Sequence, residues 1–221
     1  MSAAPFRVFL LSPAHSGGKR AELLLREAAV FPLARQLRSP GGATLGEAFS
    51  FLSGLYFRGK LAYAREFARP PAGEPGAQVI TSSRGLLDPD TPVGAVDLRA
   101  FGDVDIRPDD PRYRAPLERD LARLAGRPGL EIVLLGSIAT GKYVDVLLDV
   151  VGERLLFPTD FVGRGDMSRG ALLLRAARER TELAYEPVAT AVRRGPRPRK
   201  AEPTNDRDEG GRSPQPDPDT R

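Results

Sequence analysis

Short runs of consecutive apolar residues alternate along the chain with segments whose apolar residues recur every three or four positions. The runs at 6–12, 77–82 and 130–135 contain few polar residues, which is typical of strands buried on both faces of a sheet. A fourth, shorter strand is predicted at 154–157. The helical spacing predicts helices that follow Gly18 and Phe31, extend from Thr44 to Phe67, and cover residues 113–124, 143–151 and 168–180.

Strands that alternate with helices favour a three-layer α/β/α fold with a mainly parallel sheet of about four strands. The predicted domain spans residues 1–190. The charged, proline-rich residues 191–221 are predicted to be a disordered tail.

Two polar side chains are predicted to cap helices. Thr44, with Glu47 three residues on, has the pattern of a capping box, and Ser168 is the expected N-cap of the last helix. Gly54 and Gly59 interrupt the segment that begins at Thr44, which leaves open whether it is one bent helix or two.

Composition excludes several kinds of site. The chain has no cysteine and one histidine, His15, which rules out disulfides, thiolate nucleophiles, cysteine-ligated metals and sites built from several histidines. No apolar run reaches the length of about eighteen residues that predicts a membrane helix. The N-terminal apolar run lacks the basic start and cleavage pattern of a signal peptide. We therefore expect a soluble, cytoplasmic protein without a membrane partner.

Most of the positive charge is carried by arginine. The formal net charge is +4, and only four of the 33 basic residues are lysine. Lys19, Lys60 and Lys142 each follow a glycine directly, as expected where a compact ammonium fits and a planar guanidinium does not, although coincidence explains three cases equally well. The basic stretch 193–200 makes the predicted tail an alternative place to bind an anionic partner.

The first candidate site is the strand-to-helix loop that ends at Tyr143. Gly136, Gly141 and Lys142 match the glycine and lysine positions of a phosphate-binding P-loop, and backbone N–H groups at a helix start attract anions. Tyr143 stands where a P-loop has the serine or threonine that binds magnesium. A looser phosphate contact is therefore favoured over a magnesium-dependent nucleotidase, and the alternative is a tight turn with a solvated Lys142.

The loop after the first strand is the second candidate site. His15 is a candidate acid or base near neutral pH, and Lys19 and Arg20 are candidate phosphate contacts. The alternative is a set of exposed side chains without a role. Because the carboxyl ends of parallel strands lie at one edge of a sheet, the loops 13–20, 83–90 and 136–142 are expected to meet there.

Two further loops contain acids beside arginines. Arg164 and Arg169 are candidates to clamp an anion near the start of the last helix. Asp166 is a candidate general base or the ion-pair partner of these arginines, and the favoured interpretation is that Asp166 and Ser168 cap the helix. Arg84 and Asp88 lie in the loop after the second strand, where Asp88 is a candidate either to activate water or to form a turn.

Aromatic and cationic residues are interleaved between positions 56 and 65. This pattern occurs where nucleic-acid bases stack and phosphates bind. It is also the pattern of a helix with one core stripe and one solvated stripe, and this second interpretation is favoured.

Several of these blocks together resemble an uncharacterised family of bacterial proteins. The resemblance extends over residues 6–195, and its blocks are 12–20, 49–64, 79–90, 136–143 and 161–170. More loosely, residues 55–57, 82–89 and 141–143 are similar to domains with a uracil-DNA-glycosylase-like fold. This likeness implies a three-layer α/β fold. It supports this fold better than it supports glycosylase chemistry, because no histidine matches the second catalytic motif of a glycosylase.

Together these features predict a domain that binds a phosphate-bearing ligand, either a nucleotide or nucleic acid. If the site is catalytic, hydrolysis or group transfer at a base or sugar is expected, with His15, Asp88 or Asp166 handling the proton. The alternatives are an atypical P-loop-like nucleotidase and a non-enzymatic adaptor that binds nucleic acid through the basic tail. The sequence assigns no cofactor, no metal ligand and no oligomeric state.

Overall fold

A six-stranded sheet forms the centre of residues 5–192, the part of the chain that the computed structural model describes. The strands of the fold are β1 (Phe6–Leu11), β2 (Ala43–Thr44), β3 (Ala77–Ile80), β4 (Leu86–Leu87), β5 (Pro92–Val93), β6 (Leu130–Leu135), β7 (Leu155–Pro158) and β8 (Tyr185–Pro187). The helices are α1 (Lys19–Leu25), α2 (Pro32–Leu37), α3 (Leu45–Ser53), α4 (Leu55–Phe67), α5 (Ala95–Gly102), α6 (Pro111–Ala125), α7 (Gly141–Val151) and α8 (Asp166–Glu179).

The order of strands across the central sheet is β4-β3-β1-β6-β7-β8. β3, β1, β6 and β7 run parallel, which confirms the predicted mainly parallel sheet. β4 and β8 add an antiparallel strand at each edge. These edge strands have two and three residues, which is too short to show a period in the sequence. β2 and β5 pair separately as a small antiparallel ribbon.

Helices cover both faces of the sheet. α4 packs against α8 and contacts β1 and β3, whereas α6 packs against α7, which contacts β7. The chain crosses from β1 to β3 in one direction and from β3 to β6 in the other. Right-handed crossovers therefore place the two helix pairs on opposite faces. The three predicted layers are confirmed.

The segment from Thr44 to Phe67 forms two helices. Gly54 separates them with a φ of 64°, a conformation that favours glycine. The predicted capping box is confirmed, because the Thr44 hydroxyl accepts from the Glu47 N–H at 3.2 Å and the Glu47 carboxylate accepts from the Thr44 N–H at 3.0 Å.

The prediction that Asp166 and Ser168 cap α8 was wrong. The helix begins two residues before Ser168, at Asp166, and its N-cap is Gly165 in an extended conformation. Ser168 is exposed and accepts a hydrogen bond from Arg164 at 3.2 Å.

The backbones of α4 and α8 touch where two glycines meet. A Cβ atom on Gly59 would lie 2.6 Å from the carbonyl oxygen of Gly170, and a Cβ atom on Gly170 would lie 2.8 Å from the Cα atom of Tyr56. Larger residues would separate the helices. This contact holds Tyr56 and Lys60 of α4 against the first turn of α8.

Within residues 5–192, no helix combines the length and the apolar character needed to cross a membrane. The predicted tail lies outside the described residues, apart from its first two positions.

Candidate functional site

A cleft opens where the chain reverses direction across the sheet. β1 and β6 are neighbours in the sheet. The chain leaves β1 toward β3 on one side and leaves β6 toward β7 on the other, so these two connections diverge and a crevice forms beyond the carboxyl ends of β1 and β6. The cleft has a volume of about 620 Å³. We call it the switch-point cleft. Among its lining residues are the buried or half-buried polar side chains Ser12, Tyr56, Ser82, Ser137 and Tyr143, the apolar side chains Phe49, Leu52, Phe101 and Ile106, and the exposed side chains His15, Arg107, Lys142 and Asp166.

Four of the predicted site residues meet in this cleft. His15 comes from the loop after β1, Lys142 and Tyr143 from the start of α7, and Asp166 from the start of α8. Three separate loops therefore converge, as expected for the carboxyl edge of a parallel sheet.

The other predicted site residues do not line the cleft. Arg84 forms an exposed ion pair with Asp97 at 3.1 Å. Asp88 accepts a hydrogen bond from the N–H of Asp90 at 2.8 Å, which is the turn interpretation of this residue. The remaining residues outside the lining are Lys19, Arg20, Gly136, Gly141, Arg164 and Arg169.

The two arginines near α8 bind backbone carbonyl groups. The Arg164 Nε donates to the carbonyl oxygen of Asp160 at 2.8 Å. Arg169 is buried and donates twice to the carbonyl oxygen of Phe161, at 3.2 and 3.0 Å, while its guanidinium lies 3.6 Å from the Asp166 carboxylate. Asp166 thus has the predicted arginine partner, and Arg169 is fixed by the loop that precedes α8.

The loop before α7 closes around a tyrosine. The Tyr143 hydroxyl donates to the carbonyl oxygen of Ser137 at 2.8 Å. A Cβ atom on Gly136 would lie 2.9 Å from both that hydroxyl and the Cβ atom of Ser12, so glycine allows the ends of β1 and β6 to meet. Burial raises the pKa of Tyr143, and the residue therefore stays a neutral phenol.

The first turn of α7 faces the cleft through Lys142. Thr140 is the N-cap, and its side chain makes no capping hydrogen bond. N–H groups in a first helical turn have no acceptor within the helix and favour anions. The exposed Lys142 ammonium adds a positive charge at the same place.

Lys60 is the most unusual group beside the cleft. Its side chain is 1% exposed, and its Nζ lies 2.6 Å from the carbonyl oxygen and 2.9 Å from the Oγ of Ser12. The nitrogen also lies 4.5 and 4.9 Å from the ring centres of Tyr56 and Phe57. It forms no ion pair with any residue that the structure describes. Burial lowers the pKa of Lys60 to about 7, and the Asp166 carboxylate opposes that shift.

Tyr56 contributes a buried hydroxyl without a hydrogen bond in the described part of the chain. Burial raises the pKa of this phenol, and the nearby guanidinium of Arg169 opposes that shift in part. Unpaired buried donors are rare in proteins because each one loses its hydration. The Tyr56 hydroxyl is therefore an unusual buried donor beside the cleft.

Sequence reasoning missed Ser12, Tyr56 and Lys60 as site residues. The spacing on α4 gave a signal for Tyr56 and Lys60. Lys60 falls four residues after Tyr56 and four before Ala64, and Tyr56, Lys60 and Ala64 are buried on the same side of α4. A lysine within a core stripe was therefore visible in the spacing. The stripe interpretation of residues 56–65 is confirmed, and Lys60 belongs to the buried stripe.

Comparison with known proteins gives no relative, since no protein-family model, no curated protein and no solved structure matches this chain. The likenesses drawn from the sequence blocks stay predictions. Across residues 5–192, no group of three or more carboxylate or histidine side chains is arranged to hold a metal ion.

Proposed function

We propose that the switch-point cleft binds a phosphate-bearing ligand, a nucleotide or a nucleotide unit of a nucleic acid. The observation that carries this proposal is the pairing of two unlike surfaces in one cleft. Lys142 and the first turn of α7 offer positive charge, and the half-buried Val104 and Ile106, with the small exposed parts of Leu52 and Phe101, offer an apolar surface for a base. Helix starts of this kind bind phosphate groups, and aromatic side chains bind bases.

Any chemistry in this cleft would use the polar groups that line it. We assign any proton transfer to or from the ligand to His15 or Asp166, which line the cleft, and not to Asp88, which lies outside the lining. Hydrolysis or group transfer at a base or sugar is the reaction class that fits such a ligand. The cleft volume of about 620 Å³ is in the range of pockets that hold small molecules.

The geometry supports a P-loop-like nucleotidase less well. In that mechanism, backbone N–H groups of the loop surround the phosphates. Here a side chain of the protein already binds inside the loop, because the Tyr143 hydroxyl donates a hydrogen bond to the carbonyl oxygen of Ser137. An adaptor that binds through the basic stretch 193–200 remains an alternative that the cleft does not address.

The test compares two lysines that share a local sequence context. Lys142 and Lys19 are both exposed, both follow a glycine and both lie in the first turn of a helix, but Lys142 lines the cleft and Lys19 does not. Binding of AMP, ATP, inorganic phosphate and a short oligonucleotide to the full chain is measured by calorimetry and by thermal unfolding. A ligand at one hundred times its dissociation constant stabilises the fold by about 2.7 kcal/mol.

We expect Lys142→Ala to weaken binding by about tenfold or more, because a charge-assisted hydrogen bond contributes about 1.5–3 kcal/mol. Lys19→Ala should bind as the unchanged chain does. Equal binding by both variants, combined with loss of binding when the basic residues of 193–200 are replaced by glutamine, would assign the function to the tail.

A further inference from the structure

The end of β1 brings a buried amine into contact with a hydroxyl that lines the cleft. Lys60 Nζ and Ser12 Oγ are 2.9 Å apart, and Ser12 is 6% exposed. The same nitrogen lies 2.6 Å from the Ser12 carbonyl oxygen. This geometry accommodates either protonation state: an ammonium donates to both oxygen atoms, whereas a neutral amine donates one N–H to the carbonyl oxygen and has a lone pair in reach of the Ser12 hydroxyl proton.

We propose that Ser12 is a nucleophile and that Lys60 is its general base, acting on an ester or another activated acyl group bound in the switch-point cleft. In the first step the Ser12 Oγ forms a bond to the acyl carbon and its proton passes to Lys60 Nζ. The bond to the leaving group then breaks, and the leaving group takes that proton from Lys60. In the second step water gives its proton to Lys60, attacks the acyl carbon and releases the acid as the proton returns to Ser12 Oγ. A pairing of serine with lysine is an established way to activate a hydroxyl.

The environment of Lys60 favours the neutral amine at the pH where such a base works. An unpaired buried ammonium is unfavourable because it loses its hydration, and burial lowers the pKa of Lys60 to about 7. The titratable groups that act on it are Tyr56 on α4, whose ring lies 4.5 Å from Nζ, and Asp166 on α8. Tyr143 on α7 and Arg169 on α8 act on Tyr56 in turn. Asp166 is exposed and already paired with Arg169, so it compensates for little of the lost hydration.

An acyl centre fits the surroundings of Ser12 better than a phosphoryl centre. Phosphoryl transfer needs several cations on the phosphate oxygens. The buried Arg169 donates its hydrogen bonds to the carbonyl oxygen of Phe161. Lys142 is exposed at the start of α7 and lies outside the buried group of side chains around Ser12. A neutral donor is present instead, because the buried Tyr56 hydroxyl has no hydrogen-bond acceptor among the described residues. The cationic side of the cleft would hold an anionic end of the substrate.

A purely structural role for Lys60 makes a different prediction. If Lys60 serves only to hold the end of β1 in place, it stays an ammonium. It then donates hydrogen bonds to the oxygen atoms of Ser12 and does not activate the hydroxyl. The hydroxyl would have the reactivity of any other serine. The two roles are separated by measuring the reactivity of Ser12 itself.

The experiment treats the full chain with an alkyl fluorophosphonate and locates the adduct by mass spectrometry. The probe carries no nucleotide, so its result does not depend on the proposed phosphate ligand. We expect a single adduct on Ser12, formed as the Oγ–phosphorus bond replaces the phosphorus–fluorine bond. The rate should increase with pH and level off above an inflection near 7. Ser12→Ala should abolish the adduct, and Ser16→Ala, which removes a nearby hydroxyl without an amine partner, should leave it unchanged.

Lys60→Met should reduce the rate of labelling at pH 8 by at least a hundredfold. If that variant does not fold, the pH profile of the unchanged chain decides. Absence of an adduct on Ser12, an adduct that survives Ser12→Ala, or a rate without an inflection near pH 7 would overturn the proposal.

Discussion

Replacing Lys60 by methionine should change how stability depends on pH, because the folded chain holds this amine without its proton above pH 7. In the unfolded chain the pKa of Lys60 has its ordinary value of 10.5, and in the fold it is about 7. Between these values the unfolded chain binds one more proton than the folded chain. The free energy of unfolding therefore rises with pH across this window.

The size of the effect follows from the width of the window. A group that titrates in one state and not in the other changes stability by about 1.4 kcal/mol for each pH unit. From pH 7.5 to 9.5 the unchanged chain should gain about 3 kcal/mol relative to Lys60→Met. The variant also removes the hydrogen-bond partner of the Ser12 carbonyl and hydroxyl groups, which lowers its stability by the same amount at each pH of this window and does not alter the comparison of slopes.

The assay is urea unfolding followed by circular dichroism at pH 7.5, 8.5 and 9.5, since the chain has no tryptophan for a fluorescence measurement. The window ends at pH 9.5 because buried tyrosines such as Tyr56 have raised pKa values and oppose the trend above about pH 10. Lys142→Met removes an exposed lysine and serves as the control. Parallel pH profiles for the unchanged chain and Lys60→Met would refute the lowered pKa of Lys60, because they would mean that this amine keeps its proton in the fold.

Two further predictions concern the elements that position the cleft. Gly59→Ala should destabilise the fold by about 1–3 kcal/mol despite the higher helix propensity of alanine, because its Cβ atom would lie 2.6 Å from the Gly170 carbonyl oxygen. Gly41→Ala, where a Cβ atom meets nothing within 4 Å, should leave the urea midpoint almost unchanged, and equal midpoints for the two variants would contradict the close helix contact. Thr44→Ala should lower stability by about 1 kcal/mol through loss of the capping hydrogen bond to the Glu47 N–H, and an unchanged unfolding temperature would show that this cap contributes nothing.

The parallel strands were predictable from sequence because each is buried on both faces. Residues 8–11 of β1 and 132–135 of β6 are fully buried. A continuous apolar run of this length is typical of a buried strand, because buried helices are longer. The edge strand β8 gave none, since it has three residues, including Pro187. The start of α8 was misplaced because the N-cap is Gly165, whose backbone conformation leaves no side-chain signal.

The candidate site was predictable in its position but not in its chemistry. The rule that ligands bind at the carboxyl ends of parallel strands indicated the loops that carry His15 and Lys142, and both residues line the cleft. The contact between Ser12 and Lys60 joins residues 48 positions apart. It depends on the approach of α4 to the end of β1, which local patterns do not encode.

The most direct experiment tests whether the phosphate-bearing ligand and the reactive Ser12 share the switch-point cleft. The rate at which the fluorophosphonate labels Ser12 is measured in the full chain with and without saturating AMP, ATP or inorganic phosphate. We predict that a compound which stabilises the chain against heat also slows labelling of Ser12 at least tenfold, and that Lys142→Ala weakens this protection. A compound that stabilises the chain but leaves the labelling rate of Ser12 unchanged would contradict a shared site, because the compound would then bind outside the switch-point cleft.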